Sequence, residues 1–282
     1  MDSTFYTIFA AFSFATGACV ASFLNVVAWR LPRGESIVSP PSHCPKCNTP
    51  IKWWQNIPIL SWLALRGKCA KCREPISPRY IIVEAIGGAL FLAAFMRLMG
   101  DGFYKAEDLA IILTSLVAGW IWISLMIVGS VIDFDHKLLP DFSTVGGMVL
   151  GLVLNAAHSI MLHSPSPILN SLSGLAFGFG LLWLIRFLGT KAFKREAMGM
   201  GDVFLMGAIG AIFGPVAVLV SLILSSLFGS VVGVTAMLFS KGRLGRFAEI
   251  PYGPYICMGC LVWMFYGPEL IAWYMRLLGL QG

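Results

Sequence analysis

Apolar and polar positions fall in blocks along this chain, with long apolar stretches separated by short polar joints. A helix that crosses a bilayer needs roughly 20 apolar residues. Eight stretches are candidates: Phe5–Ala28, Ile81–Met99, Leu109–Ile132, Phe142–Leu162, Ile168–Leu188, Val203–Phe213, Val216–Phe239 and Tyr255–Leu278. The sixth is short, and Gly214-Pro215 separates it from the seventh. It spans only if the loop before it also sits deep. Otherwise it is a partial or re-entrant helix, tolerated where protein or a water-filled cavity covers its backbone. The first stretch lacks a basic n-region and an A-x-A cleavage pattern, so it reads as a retained span. The pattern predicts an all-α integral membrane protein of about eight transmembrane helices with one sizeable polar insertion, Arg30–Tyr80. No internal repeat and no low-complexity segment is expected.

Composition agrees with that class. Of 282 residues, 57% are hydrophobic and 12% charged, and the mean hydropathy is +0.80. An ordinary soluble domain is excluded. The net charge of +6 is no nucleic-acid signal, because the basic residues follow topology, and no nucleic-acid partner is expected. With eight alternating spans, the loop Arg30–Arg79, Lys137, Arg186, Lys191, Lys194, Arg195, Lys241, Arg243 and Arg246 share one side. Only Arg97, Lys105 and Arg276 fall on the other. The crowded side is cytoplasmic by the positive-inside rule, which places both termini in the periplasm.

The insertion is too small and polar to hold a large core, and a piece of that size usually needs a staple. Its cysteines supply one. Cys44-Pro-Lys-Cys47 is followed after 21 residues by Cys69-Ala-Lys-Cys72. Two such knuckles bring four thiolates onto a structural Zn²⁺, with Lys46, Lys68 and Lys71 offsetting the charge. A reducing cytoplasm favours metal over disulfides. The insertion is therefore expected to be a small zinc-stapled cytoplasmic loop domain. Cys257-Met258-Gly259-Cys260 lies inside the last span and reads as small residues packing there. Trp53, Trp54 and Trp62 are expected to pin the loop to the interface.

Acidic chemistry sits at two span borders. Asp133 ends the third stretch and Asp202, in Gly199-Met200-Gly201-Asp202, begins the sixth. A carboxylate beside a bilayer is a functional-site candidate by default. Asp202 at a helix start also fits an N-cap, but Gly199 and Gly201 give the preceding backbone a freedom that a cap does not require. Asp133 stands at the unfavourable end of a helix dipole. Two carboxylates in opposed helix-end environments suit an acid/base pair sharing one proton across an activated water. Asp135 and His136 are secondary, and Asp141 reads as the cap of the next helix. Neither an H-E-x-x-H motif nor a P-loop occurs.

Several segments, in order, carry a resemblance. They are Ser22-Phe23-Leu24-Asn25-Val26-Val27, Arg30-Leu31-Pro32, Ser42-His43-Cys44-Pro45-Lys46-Cys47, Asn56-Ile57-Pro58-Ile59-Leu60-Ser61-Trp62, Arg66-Gly67-Lys68-Cys69, Ile76-Ser77-Pro78-Arg79-Tyr80 and Val83-Glu84. Asp133 through Asp141, Met198 through Asp202 and Pro251-Tyr252-Gly253-Pro254 follow. The chain resembles the bacterial prepilin peptidases, also called type IV leader peptidases, a family of inner-membrane aspartyl proteases that are also N-methyltransferases. The resemblance implies that Asp133 and Asp202 are catalytic. They would cleave the leader of prepilins or secretion pseudopilins after a glycine at the cytoplasmic membrane face. It also implies methylation of the new N-terminal residue with S-adenosylmethionine. The cysteine loop favours the bifunctional form. Phe204 stands where the family often has lysine, and Ala21 where it often has glycine.

No G-x-G-x-x-G turn holds the methyl donor. Its site is unassigned, with Glu84, Asn25 and Arg30 as candidates. The expected division is 1–29, a first transmembrane helix; 30–80, the four-cysteine metal-binding loop linked to methyl transfer; and 81–282, the transmembrane aspartyl protease domain. Two other readings stay open: an intramembrane aspartyl protease of other substrate range, and a proton-coupled transporter with membrane carboxylates.

Overall fold

A computed structural model describes residues 3–100, 109–196, 198–239 and 251–279. Lys105, Lys241, Arg243 and Arg246, used above for orientation, lie outside the described residues. The described chain is helical: α1 Ser3–Arg30, α2 Leu60–Ala64, α3 Arg79–Gly100, α4 Leu109–His136, α5 Asp141–Met161, α6 Ser166–Phe193, α7 Met200–Phe213, α8 Pro215–Phe239 and α9 Gly253–Leu277. Strand-like pairing among the described residues is limited to two isolated bridges, His43 with Pro50 and Lys68 with Pro75. Among the described residues seven helices are long and apolar enough to cross a membrane, and α7 is a shorter apolar helix. The expected all-α membrane class holds, with the count of eight reached only by including α7.

Two compact units divide the chain, Met1–Val131 and Ile132–Gly282. In the first, α1 packs along α3. The crossing is close because small residues line it. A Cβ on Gly17 would strike the Gly87 carbonyl and Phe91, and one on Gly88 would strike Phe14. Ala21 is fully buried against Gly87, so alanine is small enough to keep this contact. Van der Waals fit of this kind drives helix association in lipid, where apolar burial gains little. Trp120 on α4 stacks on Phe91 with centroids 5.1 Å apart, and its indole N–H donates to the Phe91 carbonyl at 3.1 Å.

The second unit is built around α7. This helix packs on α5, α6, α8 and α9, and Asp202, Val203 and every residue from Leu205 to Ala211 are buried. A helix apolar on all sides is a core helix. Its 14 residues rise about 21 Å, short of a hydrocarbon core of about 30 Å. Backbones touch here: Gly174 on α6 faces the Gly210 carbonyl, and Gly151 on α5 faces Ala211. The Asn155 amide donates to the Ala211 and Ile212 carbonyls at 3.1 and 3.3 Å, and the Ser171 hydroxyl donates to Ala211 at 2.5 Å. These satisfy carbonyls that the helix end leaves without intrahelical partners. Gly214, at φ +88°, turns the chain directly into α8 at Pro215.

Three helix ends differ from the sequence expectation. α5 begins at Asp141 with Pro140 as N-cap and no capping side chain, so Asp141 is the first helical residue and not the cap. α4 runs a further turn to His136, so Asp133 lies within a helix rather than at its last residue. α7 begins at Met200 with Gly199 as N-cap, so Asp202 is in the first turn and is not the cap. The expectation of no internal repeat is also corrected, as the geometry of the cysteine module shows.

Candidate active site and metal centre

Asp133 and Asp202 come from helices separated in sequence and are both buried, 5% and 9% exposed. They lie close enough to act on each other electrostatically. Each accepts a backbone N–H. Gly253, the first residue of α9, donates to Asp133 Oδ2 at 3.0 Å. The Gly199 N–H bonds the Asp202 carboxylate, an N3 side chain reaching back to the N-cap amide as in half a capping box. Asp135 and His136, on the same last turn, are exposed.

Leu139 fills the space between these segments. A Cβ on Gly201 would lie 2.7 Å from the Leu139 Cβ. One on Gly253 would lie 3.1 Å from both Leu139 methyls and 2.7 Å from Asp133 Oδ2. Glycine is thus required at 201 and 253 by close approach, one beside each aspartate. Phe204, where the resemblance led one to look for lysine, packs its ring on Phe179 of α6 with centroids 5.8 Å apart.

In the first unit, the sulfur atoms of Cys44, Cys47, Cys69 and Cys72 all lie within 4.8 Å of one another. A tetrahedral zinc with Zn–S bonds of about 2.3 Å has sulfur–sulfur edges of roughly 3.8 Å. The Cys44–Cys72 separation is 3.8 Å, so the four thiols fit this ion. The knuckles repeat bond for bond. Cys44 N–H donates to Thr49 and Cys69 N–H to Glu74; Asn48 N–H donates to Cys44 and Arg73 N–H to Cys69; Ile51 N–H donates to Ser42 and Ile76 N–H to Gly67. Asn48 and Arg73 share a left-handed φ, +52° and +60°. The repeat was legible as Cys-x-Lys-Cys-x-x-Pro-Ile, occurring at Cys44–Ile51 and again at Cys69–Ile76. Lys46 of one knuckle pairs with Glu74 of the other at 3.8 Å on the surface. The hydroxyl of Thr49, then its backbone N–H, draws the Cys47 thiol down to about 6. The Cys72 and Lys71 N–H groups lower Cys69. One thiol of each knuckle is thus drawn toward thiolate, the form that ligates metal, while at Cys72, against the Glu74 N–H, burial and the neighbouring thiols push the thiol up to about 12.

Trp53 and Trp54 are exposed, as interface anchors would be. Trp62 differs: it lies against Gly67, and its indole N–H donates to the Ile76 carbonyl at 3.4 Å. It belongs to the second knuckle's core. Cys257 and Cys260 are buried on α9.

The three methyl-transfer candidates all occupy the first unit and all are buried. Glu84 Oε2 accepts the Ile59 N–H at 2.7 Å, where Ile59 sits at φ +63°, a costly conformation for a β-branched residue. Arg30 donates to the Ser36 and Pro40 carbonyls at 3.0 and 2.8 Å. It also lines a cavity of about 310 Å³ with Ser22, Phe23, Ser42 and Asn56. Asn25 carries a buried side-chain N–H₂ with no hydrogen-bond partner among the described residues. Residues that the sequence reading passed over are Leu139, Gly253 as a donor, and Asn155. Only the Pro-flanked Gly253 carried a sequence signal.

Residues 15–98 match the family described as Bacterial Peptidase A24 N-terminal domain, and residues 120–234 match the Type IV leader peptidase family. Curated relatives cover nearly the whole chain. A "Prepilin leader peptidase/N-methyltransferase" of Myxococcus xanthus is 39% identical over 95% of this chain and 76% of its own length. Proteins of the same name from Xanthomonas campestris pv. campestris and Legionella pneumophila are 36% and 34% identical, each covering 94% or more of both chains. No solved structure matches the chain.

Proposed function

Since the chain belongs to the type IV leader peptidase family, we propose that it cleaves the leader of prepilins or secretion pseudopilins after glycine and methylates the new N-terminus. The observation that carries the protease half is the pair of buried, electrostatically interacting carboxylates, Asp133 and Asp202, each held by a backbone N–H. Amide hydrolysis needs a water deprotonated as it attacks the carbonyl carbon, and a proton delivered to the leaving nitrogen. Two carboxylates sharing one proton do both: the ionised one takes the water's proton while the protonated one donates to the carbonyl oxygen, and on collapse of the gem-diol the first passes its proton to the leaving nitrogen while the second takes one back from a hydroxyl. The pair titrates as a unit.

Cys44, Cys47, Cys69 and Cys72 would hold Zn²⁺ as a structural cross-link of the loop domain, outside either reaction. S-adenosylmethionine, when bound, supplies an electrophilic methyl group for the new amine. The cavity beside α1 suits such a ligand. The Arg30 guanidinium has five N–H donors, so its two carbonyl bonds leave capacity for a carboxylate. Ser22, Ser42 and Asn56 offer polar contacts, and Phe23 an aromatic face for a cation. The unpartnered Asn25 amide is a further donor on this border, and Glu84 would receive the substrate ammonium.

The division we propose is 1–29 as a first membrane helix, 30–80 as the metal-binding loop linked to methyl transfer, and 81–282 as the protease domain. The protein would sit in the bacterial inner membrane, with both active sites facing the cytoplasm and both termini periplasmic. The basic-residue asymmetry supports that orientation. The decisive experiment incubates purified protein with a prepilin and S-adenosylmethionine and weighs the product. A pilin shortened after glycine and heavier by one methyl group is expected. An uncut precursor contradicts the protease reading, and a cut, unmethylated product contradicts the transferase reading.

A further inference from the structure

We propose that Gly253 is a positioning residue for Asp133, and that Tyr252 fixes the amide that does it. This rests on Asp133 being one of the catalytic pair. The first N–H groups of a helix have no intrahelical acceptor. In α9 the residues that open the helix can be traced one by one. Gly253 donates to Asp133 Oδ2 at 3.0 Å. Pro254 has no N–H. Tyr255 and Ile256 donate to the Tyr252 carbonyl at 3.1 and 3.2 Å. Gly253 is thus the single donor of this helix start committed to the aspartate, at the end where the dipole is positive.

Glycine stands there for room and not for backbone freedom. The position does not have a left-handed φ, yet a Cβ would lie 2.7 Å from the Asp133 carboxylate and 3.1 Å from both Leu139 methyls. Any side chain pushes the carboxylate off its donor. The donor itself is held from behind. The Tyr252 hydroxyl lies 3.0 Å from Ser225 Oγ and 3.2 Å from Ser226 Oγ on α8. The Tyr252 ring also lies beside α8 at Gly229, where a Cβ would meet it at 3.5 Å, an ordinary contact. The chain Ser225/Ser226–Tyr252–Gly253–Asp133 thus runs from the packed body of the unit to the reacting carboxylate, with Leu139 as the spacer that also meets Gly201 beside Asp202.

The test compares Gly253→Ala, Tyr252→Phe and the double variant Gly253→Ala/Leu139→Ala. Each is assayed for leader cleavage (kcat, KM and the pH profile) and for methylation of a pre-cleaved pilin. Displacing a catalytic group by about 1 Å can cost 10²-fold in rate. Gly253→Ala should lose about that much kcat with KM and methylation unchanged. Tyr252→Phe should lose about tenfold, the worth of a lost hydrogen bond, and move the acid limb of the profile. Trimming Leu139 should not restore Gly253→Ala, because the clash with Asp133 remains. Rescue by Leu139→Ala, a parallel loss of methylation, or an unmoved pH profile in Tyr252→Phe would each overturn the proposal. Asp133→Asn separates the two claims: if it still cleaves, the catalytic reading fails. If it is inactive while Gly253→Ala cleaves like wild type, only the positioning claim fails.

Discussion

The sulfur atoms of Cys44 and Cys72, from different knuckles of one loop, stand 3.8 Å apart. That is the edge of a tetrahedral zinc–thiolate centre, and it makes the metal a cross-link between the two knuckles. Replacing Cys44 or Cys72 by serine should abolish zinc, which metal analysis of wild-type protein should find at near one per chain. The loop should then become sensitive to protease, and methylation should fall with it. Zinc retained in Cys72→Ser, or absent from wild type, would refute this assignment.

Glu84 has two jobs that can be told apart. One oxygen holds the Ile59 N–H at 2.7 Å and with it a strained turn at φ +63°. The proposed second job is to receive the substrate ammonium. Gln keeps an acceptor oxygen but loses the charge. Glu84→Gln should leave cleavage and loop protection as in wild type while slowing methylation about tenfold, in line with the greater worth of charged hydrogen bonds. Glu84→Ala should in addition expose the loop to protease. Unchanged methylation in Glu84→Gln would confine this residue to the turn.

The α6–α7 crossing should be intolerant of bulk. Gly174 and Gly210 meet backbone to backbone, whereas a Cβ on Gly180 of the same α6 would enter open space. Overpacking a fitted core costs about 1–3 kcal/mol or more. Gly174→Val and Gly210→Val should lower the thermal unfolding midpoint in detergent by several degrees and reduce cleavage. Gly180→Ala should not lower it.

The long helices were legible because their signal is a run of apolar residues, which needs no knowledge of neighbours. The short α7 was legible as an anomaly but not in its start. Met200 and Gly201 extend it because Asp202 turns back to the Gly199 amide. Likewise α4 keeps Asp133 inside its last turn, with Lys137 closing the helix at φ +55°. The knuckles were legible as cysteine spacing, and their repeat lay in the same letters. What the sequence could not reveal are bonds to backbone far along the chain. Glu84 to Ile59, Arg30 to Pro40 and Trp62 to Ile76 join polar side chains to main-chain groups whose place only folding decides. The same holds for Gly253: a glycine between prolines signals a special backbone, but not the carboxylate it serves.

The central claim is that Asp133 and Asp202 together activate one water. The most direct measurement is the rate of prepilin cleavage by Asp133→Asn and Asp202→Asn, each reconstituted in lipid and each checked for intact methylation of a pre-cleaved pilin. Asparagine keeps size and shape but can neither take nor give the required proton. The account predicts that each single variant leaves the precursor uncut while still methylating the pre-cleaved pilin. Wild-type cleavage by either one would contradict it.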